Sequence, residues 1–243
     1  IGMRAGVLVC EQDCVGGQLH YEFTKGTFMS STQGPAIDAP WGDGSFSTTM
    51  GWKFNSGEGL ELDQDEEGCM NNHVFKPAQL NTAYSIFVDV KLDSIGGWQR
   101  IIGSRGWGDT GLYVNDRLMI YPPGAGVKCR EKLQPDTMYR IGMTRSLEGE
   151  VKLYLNGAMC AHGRPLFNKG FMLDQNNIRF FHDQGSEHAE GYVKDIHIWN
   201  RVLSEQEAAS MSSCMLAARA NRCSRNIVLS PNSANFVYSS IKN

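Results

Sequence analysis

The chain has 243 residues, of which 41% are hydrophobic, and it contains 27 glycines and 8 prolines. This length allows a full core, and the many turn-forming residues favour an all-β domain. Its 23 Lys and Arg are outnumbered by 26 Asp and Glu, which argues against attraction to nucleic acid or to an anionic membrane. No apolar run approaches the roughly 20 residues needed to cross a bilayer, so no transmembrane segment is expected.

The N-terminal part predicts little regular structure. Residues 1–40 hold one strand-like run, Gly6–Cys10, and then a polar stretch rich in Gly and Ser. We interpret 1–40 as an extension that is partly strand. The chain begins at Ile1 without a charged segment followed by an apolar one, so it shows no secretory signal. A removed signal and a start inside a longer protein both stay open.

The middle of the chain predicts many short strands separated by turns. In Tyr84–Leu92 apolar residues recur at every second position, which predicts a strand with one buried face. The turns between the strands carry Gly, Pro, Asn or Asp, a spacing typical of a β-sandwich. Further strands are predicted at Gly57–Leu62, Gln99–Ser104, Gly111–Val114, Leu118–Tyr121, Tyr139–Thr144, Val151–Leu155, Asn177–Phe181 and Tyr192–Trp199.

Two local motifs define the end of this series. Asn156-Gly157 follows a strand and suits a type I′ hairpin turn, since both residues tolerate positive φ. Ser204 and Glu207 form a Ser-x-x-Glu capping box, which predicts a helix from Ser204 to about Arg219. We therefore expect one sandwich domain over 41–211 and a C-terminal extension over 212–243 that packs on its surface.

Seven cysteines are more than a cytosolic β domain usually needs. Cys214 and Cys223 are close enough in sequence to pair, and Cys10 and Cys14 can pair with each other or with distant partners. The odd number leaves at least one thiol outside an internal disulfide. One or two disulfides are expected, which favours an extracellular compartment or an organelle lumen over the cytosol.

Seven segments in chain order carry a resemblance to a known family: Tyr84–Leu92, Trp98–Gly103, Asp109–Val114, Tyr139–Arg145, Val151–Gly157, Ile178–Asp183 and Gly191–Glu207. Together they resemble the laminin G-like branch of the concanavalin A-like lectin/glucanase superfamily. The resemblance implies an all-β, two-sheet antiparallel jelly-roll sandwich with one short C-terminal helix. Since this fold hosts lectins, adhesion modules, glycosidases and interaction domains, function must be argued from a site.

One motif bears on catalysis. Glu61, Asp63 and Glu66 follow the pattern Glu-x-Asp-x-x-Glu, which is similar to the signature of retaining β-glucanases on this fold. Such enzymes use two carboxyl groups about 5–5.5 Å apart. Because Gly68-Cys69 continues the segment as a turn, and Trp52 is the nearest tryptophan, we favour a solvated acidic loop. The protein is therefore expected to be non-catalytic.

Candidate binding residues lie near predicted turns. The Gly-flanked loop Arg105–Asp109, with Trp107 at its centre, is the preferred contact surface, and Tyr113 and His182 are further candidates for ligand contact. For Trp98 and Trp199 we expect burial in the core instead. Asp109 and Asp183 are candidate ligands of a structural Ca²⁺, which takes oxygen ligands from loops.

These observations predict a non-catalytic module that recognises a carbohydrate or a protein surface through loops at one rim. The main alternative is a docking subunit of a larger assembly, whose unmatched ends contact its neighbours. A β-glucanase-like glycoside hydrolase is the second alternative. The expected partner is a glycan or a protein.

Overall fold

The computed structural model describes residues 19–32, 34–62, 83–104, 110–121, 126–165, 177–183 and 185–211. Within these ranges the protein is an all-β sandwich of two antiparallel sheets with one short α-helix. The strands are β1 Leu19–Glu22, β2 Ser45–Ser47, β3 Gly51–Phe54, β4 Leu60–Leu62, β5 Tyr84–Leu92, β6 Gln99–Ser104, β7 Gly111–Asn115, β8 Arg117–Tyr121, β9 Met138–Arg145, β10 Val151–Leu155, β11 Ala158–Gly163, β12 Ile178–Phe180 and β13 Gly191–Trp199.

The larger sheet has eight described strands in the order β11-β10-β9-β5-β13-β3-β2, with β1 also paired to β13. The smaller sheet has five, in the order β4-β12-β6-β7-β8. Each sheet also pairs strands that are far apart in sequence, as β5 with β13 in the larger sheet and β4 with β12 in the smaller one. The predicted two-sheet antiparallel architecture is confirmed.

The core lies between the two sheets. On the inner face of the larger sheet, Ile86 and Val88 of β5 are fully buried. From the smaller sheet, Leu112, Leu118 and Phe180 fill the space opposite them. The prediction of a single buried face for β5 is wrong, because residues on its outer face are buried as well.

The two local motifs form as predicted. Leu155 pairs with Ala158 around the two-residue turn, in which Asn156 and Gly157 have φ of 51° and 82°. At the helix start the Glu207 amide donates to Ser204 Oγ (3.2 Å), and the Ser204 amide donates to Glu207 Oε2 (2.8 Å). The helix, α1, is described over 205–211; the rest of the predicted helix, to Arg219, lies outside the described residues.

Helix α1 packs on the outer face of the larger sheet. Leu203, Ala208 and Met211 form a second apolar cluster there with Phe87, Tyr154 and Trp199. Trp199 is thus buried as predicted, but beneath the helix and not between the sheets.

The N-terminal extension contributes to the sandwich. Strand β1, Leu19–Glu22, pairs with β13, so part of the predicted extension 1–40 belongs to the larger sheet. The predicted run Gly6–Cys10 and the C-terminal extension 212–243 lie outside the described residues, and the domain boundaries stay predictions.

A disulfide joins Cys129 to Cys160. Cys160 is on the edge strand β11, while the segment of Cys129 pairs with β8 at the edge of the smaller sheet, the Cys129 amide donating to Leu118 O (2.9 Å). The bond therefore links the two sheets at one side. It was not among the expected pairs, whose cysteines (10, 14, 214 and 223) all lie outside the described residues.

No helix in the described ranges has both the length and the apolar character of a membrane span.

Candidate functional site

Three loops meet at one rim of the sandwich because of the register of the larger sheet. Gly191, the first residue of β13, is opposite both Phe54 at the end of β3 and Leu92 at the end of β5. Hence the loop after β3, the loop after β5 and the loop before β13 all leave the sheet at the same end. The Asp93 amide donates to Glu190 O (3.0 Å), which joins two of these loops.

The loops enclose an open groove of about 380 Å³. Its walls combine hydroxyl, carboxylate and imidazole groups with one large aromatic ring. They are formed by Ser56, Ser94, Gly96, Gly97, Trp98, Gln99, Ser186, Glu187, His188 and Glu190. This is a polar cleft of the size that holds a small ligand.

The wall after β5 is fixed by Gln99. Its side chain is only 4% exposed, and its Nε2 donates to Ser94 O (3.1 Å), Ser94 Oγ (3.2 Å) and Gly96 O (3.4 Å). Gly97 has a φ of 76°, a conformation that glycine adopts without steric cost. The loop therefore has a defined shape although its glycines carry no side chain.

A buried ion pair supports the opposite wall. Arg100 Nη2 lies 2.9 Å from Asp183 Oδ1, and Arg100 Nε donates to Tyr113 Oη (2.7 Å). Asp183 Oδ2 accepts from the Gly185 amide (2.7 Å), and its own amide donates to His188 Nδ1 (3.2 Å). These contacts hold the loop before β13 against the start of β6.

Trp98 packs against two other aromatic rings beside the groove. Its ring is half-buried and makes edge-to-face contacts with Tyr113 (6.0 Å) and Tyr121 (5.0 Å). The expectation of core burial for Trp98 is wrong, because the residue precedes β6 in the rim loop and lines the groove. A half-exposed ring held by two others is a rigid apolar surface.

A second aromatic surface adjoins the groove. The rings of Trp41 and His182 are stacked at 3.9 Å, and His182 lies 4.9 Å from His188 in the groove wall. Burial lowers the pKa of His182, the nearby His188 and Arg179 lower it further, and the hydrogen bond of Nδ1 to Gly57 O opposes this. His182 is therefore neutral at pH 7, which suits its stacking on Trp41.

The groove carries negative charge. Glu187 and Glu190 line it, and none of the ten described lining residues is Lys or Arg. Lys53 lies at its margin, with Nζ 3.7 Å from Glu190 and bonded to Asp93. The side chain of Glu190 is 46% exposed, so a carboxylate oxygen is accessible to a hydroxyl or amine donor.

The structure distributes the predicted binding residues unevenly. His182 lies beside the groove, as part of the Trp41 stack. Tyr113 is fully buried, and its hydroxyl supports Arg100 and Asp183. Arg105, Trp107 and Asp109 lie outside the described residues. The last described residue before them is Ser104, at the end of β6, and this strand begins at the groove.

The predicted catalytic motif is described only at Glu61. Its carboxylate accepts hydrogen bonds from Arg179 Nε (2.8 Å) and Asn177 Nδ2, and its backbone forms a β-bridge with Asp38. The Arg179 guanidinium also lies 4.7 Å from the centre of the Trp41 ring. Asp63 and Glu66 lie outside the described residues.

The calcium prediction rests on Asp109 and Asp183. Asp109 lies outside the described residues, and Asp183 is 5% exposed with both carboxylate oxygens engaged by Arg100, Tyr113 and Gly185. Calcium binding by these two residues stays a prediction.

Sequence reasoning missed most of the groove. Gln99, Glu187, His188 and Glu190 carry no motif, since their positions depend on strands that pair far along the chain. One signal was available: Gly96-Gly97-Trp98 places an aromatic residue after two glycines, directly behind the most strongly patterned strand.

Comparisons with known proteins agree with this architecture. A family model described as the concanavalin A-like lectin/glucanases superfamily, of the laminin G type, matches residues 67–209, which is more than half of the chain. A search of curated protein sequences finds no match.

Several solved structures share the fold at low identity. The sialidase of Trypanosoma rangeli matches as its difluorosialic acid covalent intermediate, with TM-score 0.59, 16% identity, 81% of this chain and 33% of that chain covered. Its complex with sialic acid matches with TM-score 0.57 at 16% identity, over 82% of this chain and 33% of that one. This chain thus spans about a third of the sialidase length.

A single domain also matches over nearly its whole length. Domain 4 of a GH43 extracellular arabinanase from Geobacillus stearothermophilus, in complex with arabinotriose, has TM-score 0.52 and 15% identity, over 81% of this chain and 98% of that domain. At these identities the structures show the fold alone. Together with the family match and the two-sheet sandwich, they establish that the chain belongs to the concanavalin A-like lectin/glucanase superfamily, in its laminin G-like branch.

Proposed function

We propose that this protein is a non-catalytic carbohydrate-binding module whose glycan lies in the rim groove. The observation that carries the proposal is the groove itself: an open polar cleft of about 380 Å³ with one half-buried tryptophan and two carboxylates in its walls. A sugar ring has one apolar C–H face and a rim of hydroxyls, so a ring surface beside acceptors and donors matches both parts.

Each wall has a distinct role in this proposal. Trp98 presents an apolar surface held by Tyr113 and Tyr121, so binding a sugar ring costs little side-chain entropy. Glu187 and Glu190 accept hydrogen bonds from sugar hydroxyls, and charged acceptors give stronger bonds than neutral ones. The Trp41–His182 stack next to His188 adds aromatic ring edges beside the groove for contact with a neighbouring sugar unit.

The charge of the groove selects the class of glycan. Because its carboxylates repel other anions, the groove favours neutral or amino sugars over sialylated or sulfated ones. The arabinanase domain, which was solved with arabinotriose, supports a neutral oligosaccharide on this fold. The sialidase structures support the fold only.

The state of Glu61 supports a binding role without hydrolysis. A retaining glycosidase needs one carboxyl group that gives up a proton and a second one as nucleophile. Glu61 is held in an ion pair with Arg179, and it lies on β4 and not in the groove. We expect the unmodified protein to hydrolyse no β-glucan of a test panel. The Glu61→Gln and Glu66→Gln variants should give the same result.

The disulfide bears on the compartment. Cys129–Cys160 is compatible with an extracellular location, since disulfides persist in oxidising compartments. An extracellular or luminal module would meet glycans there.

The test uses a blocking variant with a matched control. Gly96 lines the groove, a Cβ there meets nothing within 4 Å, and its φ is not positive. Gly96→Trp therefore adds bulk at the groove without a clash at the backbone. Leu147→Trp adds the same ring in the turn before β10, at the opposite rim, where the side chain is 67% exposed.

A glycan array, run with and without Ca²⁺, identifies the ligand, and calorimetry then compares the variants. The proposal predicts binding to neutral glycans, loss of at least tenfold in affinity for Gly96→Trp, and no change for Leu147→Trp. An array with no bound glycan under either condition would overturn the proposal and favour the docking alternative.

A further inference from the structure

A cluster of metal-ligating side chains lies on the outer face of the larger sheet, away from the groove. His20 in β1 is directly opposite His197 in β13. Asp195 precedes His197 by two residues and so projects from the same face of β13. Two imidazoles and one carboxylate thus meet across a single strand pair.

The three groups are close together. His20 Nε2 lies 2.9 Å from Asp195 Oδ1, and the rings of His20 and His197 are stacked at 4.1 Å with an interplanar angle of 9°. One candidate ligand atom from each residue lies within 4.8 Å of the other two. His20 Nδ1 is bonded to Ser31 Oγ (3.0 Å), the kind of outer contact that orients a metal-bound histidine.

His197 provides an independent indication that the cluster has a ligand. Its side chain is only 7% exposed, and its Nδ1 has no hydrogen-bond partner. When a polar atom is buried without a partner, it loses its hydrogen bonds to water and no hydrogen bond within the protein replaces them.

The surrounding charges permit a cation at this position. Asp195 brings one negative charge to the cluster. Arg140 acts electrostatically on His197, and its guanidinium is ion-paired with Asp89 at 2.6 Å. Glu22, opposite Asp195 in β1, is paired with Lys25 at 2.7 Å.

We propose that His20, Asp195 and His197 form a binding site for a divalent transition metal ion of the Zn²⁺ type. Two nitrogens and one oxygen are a donor set for Zn²⁺, Ni²⁺ or Cu²⁺, whereas Ca²⁺ requires oxygen donors. With metal–ligand bonds of about 2.0–2.2 Å, tetrahedral ligand atoms are about 3.4 Å apart. The two rings must therefore rotate out of their stack until their in-plane lone pairs converge. Three protein ligands leave one position for water.

Calorimetry on the EDTA-treated, dialysed full chain tests the site with Zn²⁺ and Ca²⁺ separately. We expect one Zn²⁺ to bind and raise the melting temperature, and no heat from Ca²⁺ at this site. His20→Ala and Asp195→Asn, both near the surface of the cluster, should each weaken Zn²⁺ binding at least about a hundredfold. His162→Ala, which removes an exposed histidine on β11, is the matched control and should bind Zn²⁺ as before.

Co²⁺ in place of Zn²⁺ gives a second readout that does not depend on stability. Its visible absorption should report nitrogen and oxygen ligands in the unmodified chain and disappear in His20→Ala. No saturable Zn²⁺ binding, or equal affinities for the His20→Ala, Asp195→Asn and His162→Ala variants, would overturn the proposal.

Discussion

Asp89 and Arg140 form a buried ion pair in the larger sheet, and the pair connects this sheet to helix α1. They are opposite each other in β5 and β9, 1% and 7% exposed, and joined by two hydrogen bonds of 2.6 Å. Arg140 Nη1 also donates to the carbonyl oxygen of Met211 at the end of the described helix. Breaking this pair should therefore affect two strands and the helix together.

Asp89→Asn is the most informative perturbation of this pair, because it keeps the shape of the side chain and removes its charge. The Arg140 guanidinium is then buried without its counter-ion, which costs about 3–5 kcal/mol of unfolding free energy. That is a large part of the roughly 5–15 kcal/mol available to a typical protein. For a domain of this size, about 2–4 °C per kcal/mol predicts a melting temperature lower by roughly 6–20 °C.

Urea denaturation followed by tryptophan fluorescence measures this change. Asp116→Asn is the matched control, since Asp116 pairs with Lys132 (3.1 Å) at the surface and should leave the free energy of unfolding close to its original value. If Asp89→Asn lowered the free energy of unfolding no more than Asp116→Asn does, the Asp89–Arg140 pair would not stabilise the sheet and the helix as we infer.

Three further predictions concern the fold and the rim. Replacing Cys129 and Cys160 by Ala opens a loop closed over 31 residues and should lower the free energy of unfolding by about 3–4 kcal/mol, measured by denaturation of both forms without reductant. His182 has a lowered pKa in the folded protein, so protons favour the unfolded chain, and stability should fall as the pH drops below about 6.5. His182→Asn keeps a donor for Gly57 O and should reduce this loss in melting curves between pH 7.5 and 5; an unchanged slope would contradict the assignment. Glu207→Ala removes the cap and the Arg201 pair, which hold the pKa of Glu207 at about 2, and should lower stability at pH 7 by about 1 kcal/mol, with the difference fading between pH 4.5 and 2.

The sequence predicted the parts of the fold that local chemistry determines. Strands β5, β6 and β10 match their predicted bounds, because alternation and flanking turns are local signals. The Asn156-Gly157 turn and the Ser204 cap formed for the same reason. Strand β1 was missed, since it has only four residues and its place depends on pairing with β13, more than 170 residues away.

The candidate site was harder to predict. The groove collects residues from three loops that are separated by about 40 and 90 residues in sequence, and only the register at Gly191 brings them to one rim. His182 was identified because Phe180-Phe181-His182-Asp183 ends a strand with polar residues. The Arg100–Asp183 pair beneath it joins positions 83 residues apart, which no local pattern indicates.

Titration of Gly96→Trp and Leu147→Trp with the glycan that the array identifies decides whether the rim groove binds that glycan. We predict that Gly96→Trp, in the groove wall, loses at least tenfold in affinity while Leu147→Trp at the opposite rim binds like the unmodified protein. Equal affinity of both variants for that glycan would place its binding site elsewhere and contradict the claim.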